Sequence, residues 1–206
     1  MLKKFFKKTK RSLQAGFSLL EMIMVLTVFG LITSIVTYNY GSFNNQITLT
    51  NLAYEIAMQI REAQVCSMGV RGANNTFDSH YGVYFKAGTG SFISFVDSDG
   101  DGLCKSGPTD FCDACTTPTE CQKIISLPRN MMVQEFKKVS DNSSVTGPVF
   151  VTFKRPDPEA IILDSNSAVI TSGVNVIVKS PDNQYKKIVV RENGYISVED
   201  YQPAQP

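Results

Sequence analysis

Histidine is nearly missing from this sequence, and acidic residues are missing from its start. His80 is the only histidine among 206 residues. Its neighbours Asp78 and Ser79 do not indicate a catalytic triad, because a nucleophile, a base and an orienting group must converge in space and sequence neighbours seldom do so. Since no other convergent set of catalytic residues emerges, we predict that the protein is not an enzyme.

Before the first acidic residue, Glu21, the chain is rich in lysine and then strongly apolar. The first 16 positions hold six basic residues: Lys3, Lys4, Lys7, Lys8, Lys10 and Arg11. Residues 17–38 carry no formal charge apart from Glu21, and as a helix they would rise roughly 30 Å, the thickness of a bilayer's hydrocarbon core. The sequence therefore predicts a membrane-spanning helix, with its basic N-terminus held in the cytoplasm by the positive-inside rule.

Glu21 lacks a counter-charge in its own segment. A carboxylate inside a membrane helix costs about 2.5 to 3.5 kcal/mol on insertion scales, so such an acid usually marks a functional position. No basic residue lies between Phe17 and Val36. The partner of Glu21 is thus expected from another molecule or from a newly made chain end.

No convincing small-residue cleavage site follows the apolar run, so an ordinary secretory signal is disfavoured. Residues 16–23 read Gly-Phe-Ser-Leu-Leu-Glu-Met-Ile. After the short basic leader, this stretch resembles the cleavage signal of type IV prepilins and type II secretion pseudopilins. The resemblance implies that a prepilin peptidase removes residues 1–16 by cutting between Gly16 and Phe17, and that the new amine of Phe17 is methylated. It also implies that this amine neutralises Glu21 of a neighbouring subunit.

The family resemblance implies a structural subunit that polymerises into a pilus-like or type II secretion filament. Its expected partners are other pilins, the prepilin peptidase, an assembly platform in the inner membrane and, before assembly, membrane lipid. The expected location is the bacterial cytoplasmic membrane, as a single-pass precursor, and then a periplasmic or cell-surface filament. The alternative is a membrane-anchored extracytoplasmic binding module, calcium-dependent in one version, that does not polymerise.

The overall charge of +1 hides an uneven distribution. The leader holds six of the twenty basic residues and none of the nineteen acidic ones, so its removal leaves a net charge of −5. An acidic mature chain lacks the basic surface that phosphate binding requires. We therefore expect no direct binding to nucleic acid.

The helical pattern continues beyond the apolar run. Residues 39–69 are predicted to form an amphipathic helix that packs on a core, with Gly69 as its C-terminal stop. Gly41 and the asparagines near it would allow a bend or a melted segment. The predicted core-facing residues are Ile47, Leu52, Ile56, Ala57, Ile60 and Ala63.

Residues 70–201 change to the alternating pattern of β-strands, and residues 202–206 are expected to be frayed. The dipeptide Asn193-Gly194 favours a two-residue type I′ hairpin. The predicted fold is α+β, a long helix packed on one antiparallel sheet or on two sheets. The ordering of this domain resembles H-type minor pseudopilins and fimbrial-type minor pilins in the passages 81–85, 92–102 and 190–194. The nine predicted strands are 80–86, 92–97, 122–127, 131–136, 149–154, 160–163, 174–179, 185–191 and 195–198.

An Asp/Gly loop follows the second predicted strand. Carboxylates stand at its positions 1, 3 and 5, and Gly102 at position 6, which is the spacing of a calcium-binding loop. The three carboxylates are those of Asp97, Asp99 and Asp101. Pro108 occupies position 12, where an EF-hand has glutamate, so the shell would be completed from Asp110, Asp113 or Glu120. A solvated turn is the alternative, and no other cofactor is expected.

Four of the five cysteines lie in the loop of residues 97–121: Cys104, Cys112, Cys115 and Cys121. In an exported domain two disulfides are favoured, in any of three pairings, because they remove chain entropy from a polar segment. A zinc site or a redox pair at Cys112 and Cys115 is the weaker alternative, since one Cys-x-x-Cys pair is little evidence. Cys66 is left over, as a buried thiol or a competing disulfide partner.

Overall fold

The computed structural model describes residues 16–69, 79–105, 111–112, 115 and 120–203. One helix, α1 (Leu19–Met68), precedes two antiparallel sheets, which confirms the predicted α+β class and selects its two-sheet version. The chain divides into two compact units, with the boundary after Gly41. The strands are β1 (His80–Phe85), β2 (Ser91–Asp97), β3 (Cys121–Ser126), β4 (Met132–Lys138), β5 (Ser144–Val145), β6 (Val149–Phe153), β7 (Ala160–Asp164), β8 (Val174–Lys179), β9 (Tyr185–Val190) and β10 (Ile196–Asp200).

The first part of α1 is apolar on all sides. Every side chain from residue 19 to residue 38 is exposed, and an 18-residue window reaches a mean hydropathy of 2.3, so the helix is long and apolar enough to cross a membrane. Its threonine hydroxyls donate to carbonyls one turn back, as from Thr33 to Phe29 (2.8 Å), which satisfies them without water. α1 also runs through Gly41 without a melted segment.

The second part of α1 buries one face in the domain core. Its buried positions are Leu49, Leu52, Ala53, Ile56, Ala57, Ile60, Ala63 and Ser67. The prediction for Ile47 was wrong, because this residue is 45% exposed. The five-residue step from Ile47 to Leu52 turns the helix about 140° away from the buried face. The predicted stop is confirmed: α1 ends at Met68, and the amide of Gly69 donates to the carbonyl of Val65 (2.9 Å).

The two sheets have the strand orders β3-β2-β1-β6-β7 and β10-β9-β8-β4-β5. Apolar residues of both sheets share one core cluster with the second part of α1. Each of the nine predicted strands corresponds to a strand of the structure. β5 was missed because it has only two residues, too few for an alternating pattern.

The last hairpin, between β9 and β10, differs from its prediction. The amide of Gly194 donates to the carbonyl of Arg191 (3.0 Å), and the amide of Arg191 donates to the carbonyl of Tyr195 (2.9 Å). A type I′ turn needs a positive φ at both central residues, but only Gly194 has one (77°). The loop therefore has three residues, 192–194, and ends in a bulge that glycine accommodates.

Candidate functional site

The predicted processing site lies directly before α1. Gly16 and Phe17 precede the helix, and Phe17 is 78% exposed. The carbonyl of Ser18 accepts the first helical hydrogen bond, from the amide of Met22 (3.2 Å), so Ser18 caps the helix. Residues 1–15, which make up the rest of the predicted leader, lie outside the described residues.

Glu21 is exposed in the first turn of α1. In the described part of the chain, no hydrogen bond or ion pair joins its carboxylate to another residue. Ser18 and Glu21 have the spacing of a capping box, but the Glu21 side chain makes no capping hydrogen bond among the described residues. Its negative charge is nevertheless favourable near a helix N-terminus.

Asp97 organises the Asp/Gly loop from the end of β2. Its side chain is buried (1% exposed), where an unpaired carboxylate would be costly. The amide of Gly100 donates to Oδ1 (2.7 Å), the amide of Gly102 donates to Oδ2 (2.9 Å), and His80 Nδ1 lies 3.3 Å from Oδ2. The only histidine of the chain thus holds a structural position at the start of β1.

The loop brings together Asp97, Asp99 and Glu120. One oxygen from each of their carboxylates lies within 4.8 Å of the others, an arrangement able to hold a metal ion. Asp101, the third predicted ligand, is not part of this group, because its carboxylate pairs with Lys105 and accepts the amide of Leu103 (2.9 Å). Two other predicted contributors, Asp110 and Asp113, lie outside the described residues.

Glu120 reaches across the loop to join this group. Its Oε1 accepts the amide of Ser98 (2.8 Å), and its Oε2 accepts the amide of Lys105 (3.1 Å). Partial burial raises the pKa of the Glu120 carboxyl. The two amide hydrogen bonds lower this pKa, and the nearby charges of Asp99 and Asp97 raise it, so the net shift is upward. A divalent cation there would relieve the repulsion among the three carboxylates.

The cysteines of the loop form two local disulfides, Cys104–Cys112 and Cys115–Cys121, which is one of the three possible pairings. Their Cα atoms are 5.4 Å and 5.1 Å apart. The first pair is buried in a second apolar cluster on the first sheet, with Phe95 and Phe150 among its members. Cys66 belongs to neither disulfide and packs, half-buried, against the main core.

Comparison with known proteins assigns the N-terminal region. The family model for the prokaryotic N-terminal methylation motif matches residues 11–37. No curated protein matches the chain, and no solved structure does. The resemblance of the C-terminal domain to minor pseudopilins therefore stays a prediction. Residues 11–37 carry a pilin-type signal, which implies a membrane-anchored precursor processed by prepilin peptidase.

Proposed function

We propose that this chain is a structural pilin or pseudopilin, cleaved between Gly16 and Phe17, methylated at the new amine and polymerised into a filament. The observation that carries the proposal is the methylation motif at residues 11–37, on a helix whose apolar side chains from residue 19 to residue 38 are exposed in the described part of the chain. Burial of this surface against the same segment of other subunits would drive assembly. Such a subunit is structural and needs no catalytic centre.

Glu21 would set the axial position of each subunit. A methylated Phe17 amine from the neighbouring subunit supplies the positive charge that the described part of the chain does not offer to Glu21. In a dry helix bundle, desolvation offsets much of the Coulomb attraction of such a pair. Its main effect would be to fix register, while apolar burial supplies affinity.

The proposal places the precursor in the bacterial cytoplasmic membrane, with its N-terminus in the cytoplasm. The domain after residue 42 would lie outside, and the assembled filament would be periplasmic or on the cell surface. The partners are other pilins and an assembly platform of the inner membrane. The acidic mature chain fits the expectation of no direct nucleic-acid binding.

Mass spectrometry of the purified mature chain tests the proposal. We expect an N-terminus at Phe17 with one added methyl group. In a Gly16→Leu variant, the bulky side chain at the cut should leave the precursor intact, which provides the control. An intact Met1, or a cut beyond Tyr38, in the wild-type protein would favour the membrane-anchored binding module instead.

A calcium-dependent module is the second candidate, and it is favoured by the carboxylate group of Asp97, Asp99 and Glu120. Titration of the full chain with Ca²⁺, followed by calorimetry, tests it. Because Asp99 is exposed, Asp99→Asn should abolish binding without unfolding the loop, whereas the exposed Asp141→Asn is a matched control. Equal heats for the wild type and Asp99→Asn would remove this candidate.

A further inference from the structure

The second part of α1 exposes a row of apolar side chains on the face opposite the domain core. This exposed stripe consists of Ile47, Tyr54, Met58, Val65 and Met68. Met58 and Val65 are the most exposed of the five, at 68% and 65%. Single exposed apolar residues are ordinary, but a row of them along one face of a folded domain usually marks an interaction surface.

The exposed stripe has the spacing of a coiled-coil seam. Steps of four and three residues alternate along it, so that its positions are the a and d positions of about three heptads. These positions are 47, 51, 54, 58, 61, 65 and 68. The side chains that α1 buries in the core lie on the opposite face of the helix. The helix therefore has one apolar face for its own domain and a second, narrower one suited to another helix.

Two positions of the seam are polar, and neither opposes the pairing of two helices. Asn51 is exposed at an a position, and no hydrogen bond joins its side chain to another described residue. A single asparagine at an a position is known to fix the register of two-stranded coiled coils. At position 61 the guanidinium of Arg61 donates to the carbonyl of Ile196 (3.0 Å), which directs the charge towards β10 and leaves the aliphatic stem at the seam.

The charges beside the seam favour a second copy in parallel orientation. Glu55 and Glu62 occupy e positions, whereas Thr50 and Ala57 occupy the g positions that an e position meets in a parallel pair. Each glutamate of one copy would therefore lie beside an uncharged residue of the other. No like charges meet at these flanks, so the chain can pair with itself.

We propose that two copies of this chain pair in the membrane through the exposed stripe, as a parallel, in-register coiled coil over residues 47–68. The pair rests on the membrane anchor of the proposed function and not on polymerisation. Copies anchored by the same apolar segment share one orientation and place the same residue at the same height. Anchoring also raises the effective concentration, so that a coiled coil of about three heptads suffices although it would be weak in free solution.

This pair differs from the contact proposed for the filament. In the filament the Phe17 amine of one subunit meets Glu21 of the next, which displaces the two helices by four residues, or about 6 Å. In the pair there is no displacement, and Met58 of one copy faces Met58 of the other. The pair is thus a state of the anchored chain before incorporation, and the two copies must separate or slide to enter the filament.

Disulfide crosslinking in membranes tests the pair. Helix axes about 10 Å apart bring facing Cα atoms to within about 6 Å, which is the range of a disulfide. The full chain carries Cys66→Ala, because Cys66 is the cysteine outside the two disulfides. On mild oxidation, Met58→Cys should give a covalent dimer on a non-reducing gel. The matched control is Glu55→Cys, exposed on the same helix but at an e position, and it should give at least about fivefold less.

Two further substitutions in the Met58→Cys chain separate the possible origins of the crosslink. Val65→Asp places a charge in the seam and should lower the dimer yield about tenfold, while the denaturation midpoint stays unchanged because Val65 is exposed in the single chain. Glu21→Ala should leave the yield unchanged, since it prevents incorporation alone.

Equal yields from positions 55 and 58, or a yield that Val65→Asp does not lower, would overturn the proposal. Loss of the crosslink in Glu21→Ala would also overturn it and assign the contact to the filament. An uncleaved N-terminus together with an intact crosslink would reject the filament function and leave the pair standing.

Discussion

The two parts of α1 have similar lengths and opposite environments. From residue 19 to residue 38 the helix is apolar on all sides, and its side chains are exposed. After Gly41 it is amphipathic, and side chains such as Leu52, Ile56 and Ile60 are fully or almost fully buried in the domain core. The second part thus finds its apolar partners within the chain. The first part finds none among the described residues.

The two parts of α1 therefore reflect different properties of the chain. The domain core reports how the chain folds, because its contacts are complete within one molecule. The requirements of the exposed part and of Glu21 are not met within the described residues, and under the proposed function other subunits would meet them. Substitutions in the two parts should therefore affect different measurements.

Glu21→Ala should have the largest effect, and on assembly alone. Removing one partner of a buried ion pair costs about 3 to 5 kcal/mol, enough to lose the variant from the filament. Immunoblots of sheared surface fibres measure incorporation, and mass spectrometry should still show cleavage after Gly16. Glu55→Ala, at an exposed position in the second part of α1, is the control and should assemble normally. Normal fibres from Glu21→Ala would contradict the assigned role of this carboxylate.

Ile56→Ala should destabilise the domain by about 2 to 5 kcal/mol, because it leaves a cavity at a fully buried position. Leu26→Ala removes the same number of carbon atoms from an exposed side chain in the first part and should change the free energy of unfolding by less than about 0.5 kcal/mol. Denaturant unfolding of the full chain in micelles, followed by near-ultraviolet circular dichroism, measures both. Equal destabilisation by the two variants would erase the distinction between the parts of α1.

Removal of a disulfide should have the next largest effect on the free energy of unfolding. Each closes a short loop, for which chain entropy predicts a loss of about 2 kcal/mol when the bond is removed. The double variant Cys104→Ala/Cys112→Ala should lose more than Cys115→Ala/Cys121→Ala, because only the first pair is buried in the second apolar cluster. The same unfolding assay ranks the two variants, and the reverse order would show that the buried pair adds nothing by packing.

The smallest expected effect is the contribution of Glu120 to the pH dependence of the free energy of unfolding. Because its pKa is raised in the folded state, the folded protein holds this proton more tightly than the unfolded chain does. Its contribution to stability is therefore lost as pH rises through and above 4.5, the ordinary value. Glu120→Gln should remove this loss, as measured by unfolding at pH 4 and pH 7. With saturating Ca²⁺ the contribution of Glu120 should change sign, since the ion favours the charged carboxylate; an unchanged slope would argue against calcium.

Local sequence patterns were sufficient to predict the main secondary-structure elements. The apolar run with Glu21, the period of the second half of α1 and the alternating strands each depend on neighbouring residues, and the structure contains all of these elements. The methylation motif is equally local, which explains why it was recognisable from residues 16–23 and matches residues 11–37.

The remaining features depend on contacts that no local pattern encodes. Glu120, one of the three candidates for completing the shell, joins Asp97 and Asp99 from the end of the cysteine loop, while Asp101, which has ideal spacing, pairs with Lys105 instead. The pairing of the cysteines was likewise open, since three combinations are consistent with the same spacing.

The Cys104–Cys112 disulfide packs in one apolar cluster with Phe95 and Phe150 of the first sheet. Disulfides form and persist in oxidising compartments, whereas the cytoplasm keeps thiols reduced. Under the proposed topology, the domain would therefore complete this part of its architecture only after export. Two maturation steps would then take place on opposite sides of the membrane. The disulfide of the C-terminal domain would form on the outer side, and the peptidase would cleave the leader on the cytoplasmic side.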